Sequence, residues 1–150
     1  MLGLGALRRR TVGVMGVSLR KDSIDLGIVI TDSERSLAFY RDVLGFEHEG
    51  DIPMPIGGGG TMHRLLCGTT LVKLVKFDSD PPAAVPGGIT GATGYRYFTM
   101  QVDNLEEIVR ECRDAGARVL IEPTEVRPGV RIVMVADPDG NWVEFVDSGD

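Results

Sequence analysis

The 150-residue sequence has little cysteine, a deficit of basic side chains and no long apolar run. Its two cysteines, Cys67 and Cys112, form no CxxC pair. That excludes a thiolate metal knuckle and fits a reduced, cytoplasmic protein. Sixteen basic residues stand against 22 acidic ones, a net charge of −6. Such a charge repels phosphate backbones, so nucleic acid is excluded as a partner. No stretch reaches the roughly 18 apolar residues a membrane helix needs, which excludes a spanning helix and a membrane partner. Residues 1–23 carry Arg8 to Arg10, Arg20 and Lys21. Their apolar residues come first and are too Gly-rich for a signal peptide, so the segment reads as a basic, flexible tail. Met15 offers an alternative start.

What the sequence does have is an internal repeat, the signal to seek before any other. Asp25-Leu-Gly-Ile-Val-Ile-Thr-Asp32 is followed by Ser33 to Gly45, and Tyr97-Phe-Thr-Met-Gln-Val-Asp-Asn104 by Leu105 to Gly116. Each opening alternates with period two, the mark of a half-buried strand. Leu26, Ile28 and Ile30 form one greasy face, matched by Phe98, Met100 and Val102. The opposite faces, with Asp25, Gly27, Val29, Tyr97, Thr99 and Gln101, are mixed and suited to lining a site.

A helix follows each strand. Asp32 or Ser33 caps the first, whose stripe is Leu37, Tyr40 and Val43 or Leu44, and Gly45 ends it. Asp103 or Asn104 caps the second, with Glu106 or Glu107 as capping-box partner. Its stripe is Leu105, Ile108, Val109 and Cys112, so Cys112 reads as core, and Gly116 sits at the left-handed end position. Three strands then follow in each copy: 46–51, 61–67 and 70–77, then 118–121, 130–136 and 142–146. Asp137-Pro-Asp-Gly140 supplies a turn. The Gly57 to Gly60 run has no Lys-Ser/Thr after it and reads as a mobile connection rather than a phosphate loop.

The fold class expected is α+β: two tandem βαβββ modules forming an open, barrel-like mixed sheet with helices outside. The single domain spans 24–147, as module 24–77, a Pro/Gly-rich linker 78–94 and module 95–147, with 148–150 a second tail. A chain with 43% apolar residues can bury such a core.

Asp32-Ser-Glu-Arg-Ser-Leu-Ala-Phe-Tyr-Arg-Asp-Val-Leu-Gly-Phe46 and Ala136-Asp-Pro-Asp-Gly-Asn-Trp-Val-Glu-Phe-Val146 resemble the vicinal oxygen chelate superfamily of glyoxalases, extradiol dioxygenases, methylmalonyl-CoA epimerases and bleomycin resistance proteins. The segments Val102 to Glu107 and Ala115 to Val119 support the resemblance. It implies a ligand trough in which four strand positions hold a divalent metal. Carried over residue by residue, these positions fall on Asp25, Lys73, Tyr97 and Glu144. The repeat independently pairs Asp25 with Tyr97 and Lys73 with Glu144.

This set departs from the family pattern. An ammonium has no lone pair, and a phenol must ionise from about 10 before it coordinates well. No metal or other cofactor is therefore expected. Lys73 instead serves as fixed positive charge beside a developing oxyanion. Glu144 or Asp25 serves as base, and Tyr97 as hydrogen-bond donor. On the structural reading, Lys73 simply pairs with Asp25 and Glu144. Trp142 and Leu71 offer an apolar wall, Thr99 and Gln101 polar lining, and His63 a strand position that can reach ligand. His48 reads as a surface residue.

The leading expectation is thus a metal-independent lyase or isomerase acting on a carbonyl-bearing or aromatic metabolite. The alternative is a bleomycin-resistance-type binder that sequesters a drug or natural product without chemistry. A third reading, a metal-dependent enzyme with displaced ligands, needs His63, Asp25 and Glu144 to converge. The expected partner is a small molecule, and the resemblance implies a homodimer.

Overall fold

A computed structural model describes residues 16–149. Arg8 to Arg10, Met15, most of the expected basic tail and Asp150 lie outside the described residues. The element order is β1 (Leu26–Ile30), α1 (Ser33–Leu37) continued by a π-helical segment (Ala38–Val43), β2 (Glu47–Pro53), β3 (Gly60–Cys67) and β4 (Thr70–Phe77). A 3-10 turn (Gly88–Thr90) precedes β5 (Tyr97–Gln101), α2 (Leu105–Asp114), β6 (Val119–Arg127), β7 (Val130–Ala136) and β8 (Trp142–Asp147).

Two mixed four-stranded sheets result, with strand orders β1-β4-β3-β2 and β5-β8-β7-β6. In each the opening strand pairs in parallel with the last, and the other pairs are antiparallel. The two sheets repeat one topology, as the duplicated sequence demands.

The greasy faces meet in one continuous core. Ile30, Leu65, Val72 and Leu74 from the first sheet join Val133, Val135, Val143 and Phe145 from the second. Phe39, Tyr40, Leu105, Ile108, Val109 and Cys112 cover them from the helices. At about 25 cal/mol per Å² of apolar surface removed from water, this layer is the main stabilising term. The Asp32 carboxylate accepts the Arg35 N–H at 3.0 Å and caps α1. Asn104 occupies the capping position of α2, but its side chain makes no capping hydrogen bond, so the expected capping box is absent there.

The first helix differs from its 3.6-residue expectation. Leu44 N–H bonds to Phe39 C=O, five residues back. In this wider segment the adjacent Phe39 and Tyr40 are both buried, 5% and 0% exposed. Tyr40 packs edge-on to Phe39 at 4.8 Å and stacks on Phe98 of β5 at 6.4 Å. Its hydroxyl donates to Asp137 Oδ2 at 2.7 Å. Asp137 also accepts the backbone N–H groups of Asp139 and Asn141 and the Asn141 side-chain amide, which fixes the turn before β8. Thr31 Oγ1, just after β1, donates to Asp139 Oδ1. The two sheets are therefore joined through the first helix and the Asp137 turn.

Candidate functional site: the two polar sheet faces

Strand register assigns each side chain to a face, because cross-strand partners share one. Lys73 lies opposite Gly27 of β1 and Arg64 of β3. These positions alternate with buried Val72, Leu74 and Leu65, so Lys73 and Arg64 lie on the face away from the helices. Glu144 lies opposite Thr99 of β5 and Met134 of β7, on the corresponding face of the second sheet. Trp142 and Tyr97 are cross-strand partners one step further along it.

The first sheet brings Asp25, Leu71, Lys73 and Arg64 together. Asp25, just before β1, accepts hydrogen bonds from the Lys21 ammonium and from the Leu71 N–H at 3.0 Å. The Lys21 bond, helped by Leu71 N–H and the charge of Lys73, holds the Asp25 carboxyl below the usual carboxylate range. Asp25 is therefore a fixed anion already committed to partners. Lys73 is half-buried, and among the described residues no salt bridge or hydrogen bond joins it to Asp25 or Glu144. The ion pairs of the structural reading are not formed. Among the described residues Arg64 forms one ion pair, with Glu49 at 3.8 Å. Two cations directly across a strand pair repel, and an anion between them removes that cost. Sequence reasoning missed Arg64, whose signal is its register with Lys73.

The second sheet brings Tyr97, Thr99, Gln101, Trp142 and Glu144 together. Thr99 Oγ1 donates to Glu144 Oε1 at 2.6 Å, which orients the carboxylate and leaves Oε2 without that bond. Tyr97 is 49% exposed. The turn at Gly88 packs directly on the Trp142 ring: a Cβ at Gly88 would sit 2.2 Å from it. Arg96 holds that turn, donating to Gly88 C=O at 2.7 Å and to Val85 C=O at 3.1 Å. Among the described residues, no hydrogen bond joins the Asp25–Lys73 set to the Tyr97–Glu144 set.

His63 does not share these faces. It pairs across strands with buried Leu74 and is 6% exposed, on the helix-bearing side. It lies on the expected strand but on the face away from Lys73, so the third reading, which needs His63, Asp25 and Glu144 to converge, loses its histidine. His48 is hydrogen-bonded to Asp51 rather than free at the surface. The glycine run at 57–60 lies against Phe77 and Asp78 at the end of β4.

The four positions carried over from the resemblance do not fit a divalent ion. Lys73 has no lone pair, Asp25 holds Lys21 and the Leu71 N–H through its Oδ1, and Tyr97 is a phenol. A cavity of about 420 Å³ lies elsewhere, on the helix-bearing side, between Phe39, Ala117, Arg118 and Asp137. Its lining carboxylate, Asp137, is hydrogen-bonded to Tyr40 and within its own turn.

Two four-stranded sheets of one topology, each opened by a strand and helix, make a tandem βαβββ architecture. The chain belongs to the Glyoxalase/Bleomycin resistance protein/Dioxygenase superfamily, whose family model matches residues 23–145. Mitochondrial methylmalonyl-CoA epimerase of Bos taurus is 28% identical over 101 residues, covering 67% of this chain. The chain spans 58% of the length of that epimerase. Uncharacterized protein YwkD of Bacillus subtilis (strain 168) is 28% identical over 121 residues, covering 81% of this chain and 92% of that protein. The crystal structure of a glyoxalase family protein from Bacillus cereus superposes with a TM-score of 0.75 at 16% identity, covering 89% of this chain and 98% of its own. That likeness shows the fold. No described helix is long and apolar enough to cross a membrane.

Proposed function

We propose that the chain is a metal-independent enzyme of the lyase or isomerase kind. It moves a proton at a carbon beside a carbonyl group in a small anionic metabolite. The observation that carries this reading is the Lys73 ammonium, with no hydrogen bond or ion pair to Asp25 or Glu144 among the described residues and opposite Arg64, at a position where the resemblance places a metal ligand. In a site with reduced access to water, such a charge stabilises an enolate oxygen as a metal would. The neighbouring guanidinium suits a carboxylate or thioester-linked phosphate on the same substrate.

Glu144 is the base in this scheme. The Thr99 hydroxyl donates to one of its oxygens and orients the carboxylate, leaving the other oxygen to take the proton from the C–H bond. Asp25 becomes a positioning group, since its Oδ1 is held by Lys21 and the Leu71 N–H. Tyr97 donates to the developing oxyanion, and Trp142 with Leu71 forms the apolar wall. Thr99 and Gln101 are polar lining. Similarity to methylmalonyl-CoA epimerase supports proton transfer of this type. The free thiols support a cytoplasmic setting, and exposed edge strands support a homodimer.

A panel of chiral 2-substituted carbonyl acids and their thioesters, followed by loss of optical activity or product formation, tests the reading. Glu144→Gln should lower turnover by about 10²–10⁴-fold. Turnover of any such compound that is unchanged in Glu144→Gln excludes this base. The bleomycin-resistance-type binder is the second reading, favoured by the half-exposed side chains of Val29 and Tyr97 on the same faces. Stoichiometric ligand binding without product would select it.

A further inference from the structure

Two imidazoles and a carboxylate meet on the other face of the first sheet, at its β2 edge. The β2–β3 register sets Asp51 directly opposite His63. His48 stands three residues before Asp51, and regular alternation would turn it to the opposite face. The pairing is irregular between His48 and Gly50, which places Glu49 as an extra residue and returns His48 to the side of Asp51. His48 Nε2 and His63 Nδ1 then lie 2.7 and 2.8 Å from the same oxygen, Asp51 Oδ1. One ligand atom from each residue lies within 4.8 Å of the others. The rings are 6.1 Å apart and nearly perpendicular.

The protons in this cluster can be assigned. Arg41 lies 3.4 Å from His48 Nδ1 and can only donate, so Nδ1 accepts and Nε2–H donates to Asp51. His63 Nδ1–H donates to the same oxygen, and Ser33 Oγ–H donates to His63 Nε2 at 2.8 Å. Both hydrogens on Asp51 therefore sit on the nitrogens that face each other. Replacing those two hydrogens by one cation converts the cluster into a two-nitrogen, one-oxygen ligand set.

We propose that His48 Nε2, His63 Nδ1 and Asp51 form a site for a borderline divalent transition ion of the Zn²⁺ or Co²⁺ class, separate from the Lys73–Glu144 faces. Two imidazoles select such ions over Mg²⁺ or Ca²⁺. A tetrahedral zinc centre needs ligand atoms about 3.4 Å apart, which this cluster reaches by small side-chain movements. Asp51 is 46% exposed, leaving room for water to complete the coordination. His63 is buried and its ring is set by Ser33 at the start of α1, the kind of support that metal-bound histidines require. On binding, each ring proton moves to its other nitrogen. His63 Nε2–H then donates to Ser33 Oγ, and His48 Nδ1–H displaces Arg41, which keeps its Asp42 partner at 2.8 Å. The ion would tie edge strand β2 to β3 and the start of α1.

Titration calorimetry of the full chain, stripped with chelator and then given Zn²⁺ alone, tests this. One ion per chain is expected, with Co²⁺ giving the absorption bands of a tetrahedral centre. Asp51→Asn and His48→Gln, at exposed or half-exposed positions, should each weaken binding by about tenfold or more. Arg41→Gln should strengthen it several-fold. Glu144→Gln should leave the affinity unchanged. Absence of a stoichiometric ion in the parent protein overturns the proposal, and so does affinity that survives in the Asp51→Asn/His48→Gln double variant. Loss of the ion in Glu144→Gln would place it on the other sheet face and overturn the proposal equally.

Discussion

Tyr40 shows how much one side chain joins. Its ring belongs to the aromatic cluster of Phe39, Phe46 and Phe98, and its hydroxyl donates to the buried carboxylate of Asp137. Tyr40→Phe keeps the packing and removes the bond, so about 1–3 kcal/mol of stability should be lost in chemical denaturation. Burial, then the charge and hydrogen bond of Asp137, push the Tyr40 hydroxyl well above its usual range. A folded pKa above the unfolded one contributes stability that is complete below about 10 and lost as pH rises further. The Tyr40→Phe penalty should therefore be constant through neutral pH and shrink in alkali. Ser36 makes the opposite case. Its hydroxyl is fully buried and has no hydrogen-bond partner among the described residues. Ser36→Ala should raise stability by about 1 kcal/mol, read from the denaturation midpoint. Cys112 is core, as its place in the helical stripe indicated, and burial pushes its thiol up to about 11. In native protein near pH 8 it should resist alkylation that goes to completion on unfolding.

At the scale of elements, periodicity carried the reading as far as regular geometry extends. The second helix follows its stripe residue for residue, and β4 and β7 have the expected bounds. Phe39 was missed because the stripe was drawn through Leu37, Tyr40 and Val43 or Leu44 alone, whereas the π-helical segment buries Phe39 beside Tyr40. The His48–Asp51–His63 cluster was hidden by the same kind of departure. One extra residue at a bulge reverses the face of everything before it, and nothing in a single sequence marks that residue. The linker carries a further lesson. Arg96 anchors it and Gly88 lies on Trp142, at φ +60. Gly88→Ala combines the cost of a left-handed alanine, about 1–2 kcal/mol, with a clash against the ring. Trp142 is the only tryptophan, so a shift of intrinsic fluorescence together with a lowered melting temperature is expected.

At the scale of the molecule, duplication explains why so much of the fold was legible. A repeat that aligns strand with strand predicts two sheets of one topology and pairs their functional positions without further information. What it does not predict is which partners each residue finds. Among the described residues Asp25 bonds to Lys21 and Leu71 and Glu144 to Thr99, while Lys73 is bonded to neither acid and acts on Asp25 through its charge alone. The result is a first sheet with Lys73 and Arg64 side by side and a second sheet with an oriented carboxylate. The helix-bearing face, meanwhile, holds the core and the histidine cluster.

The central claim is that the Lys73 ammonium does the work of the family's metal ion. Exchange of the hydrogen beside the carbonyl for deuterium, followed by NMR in heavy water with excess chelator, tests it most directly. The account predicts exchange that chelator leaves untouched and that Lys73→Met lowers at least a hundredfold. Exchange that stops on chelation, or that proceeds at the parent rate in Lys73→Met, would contradict it.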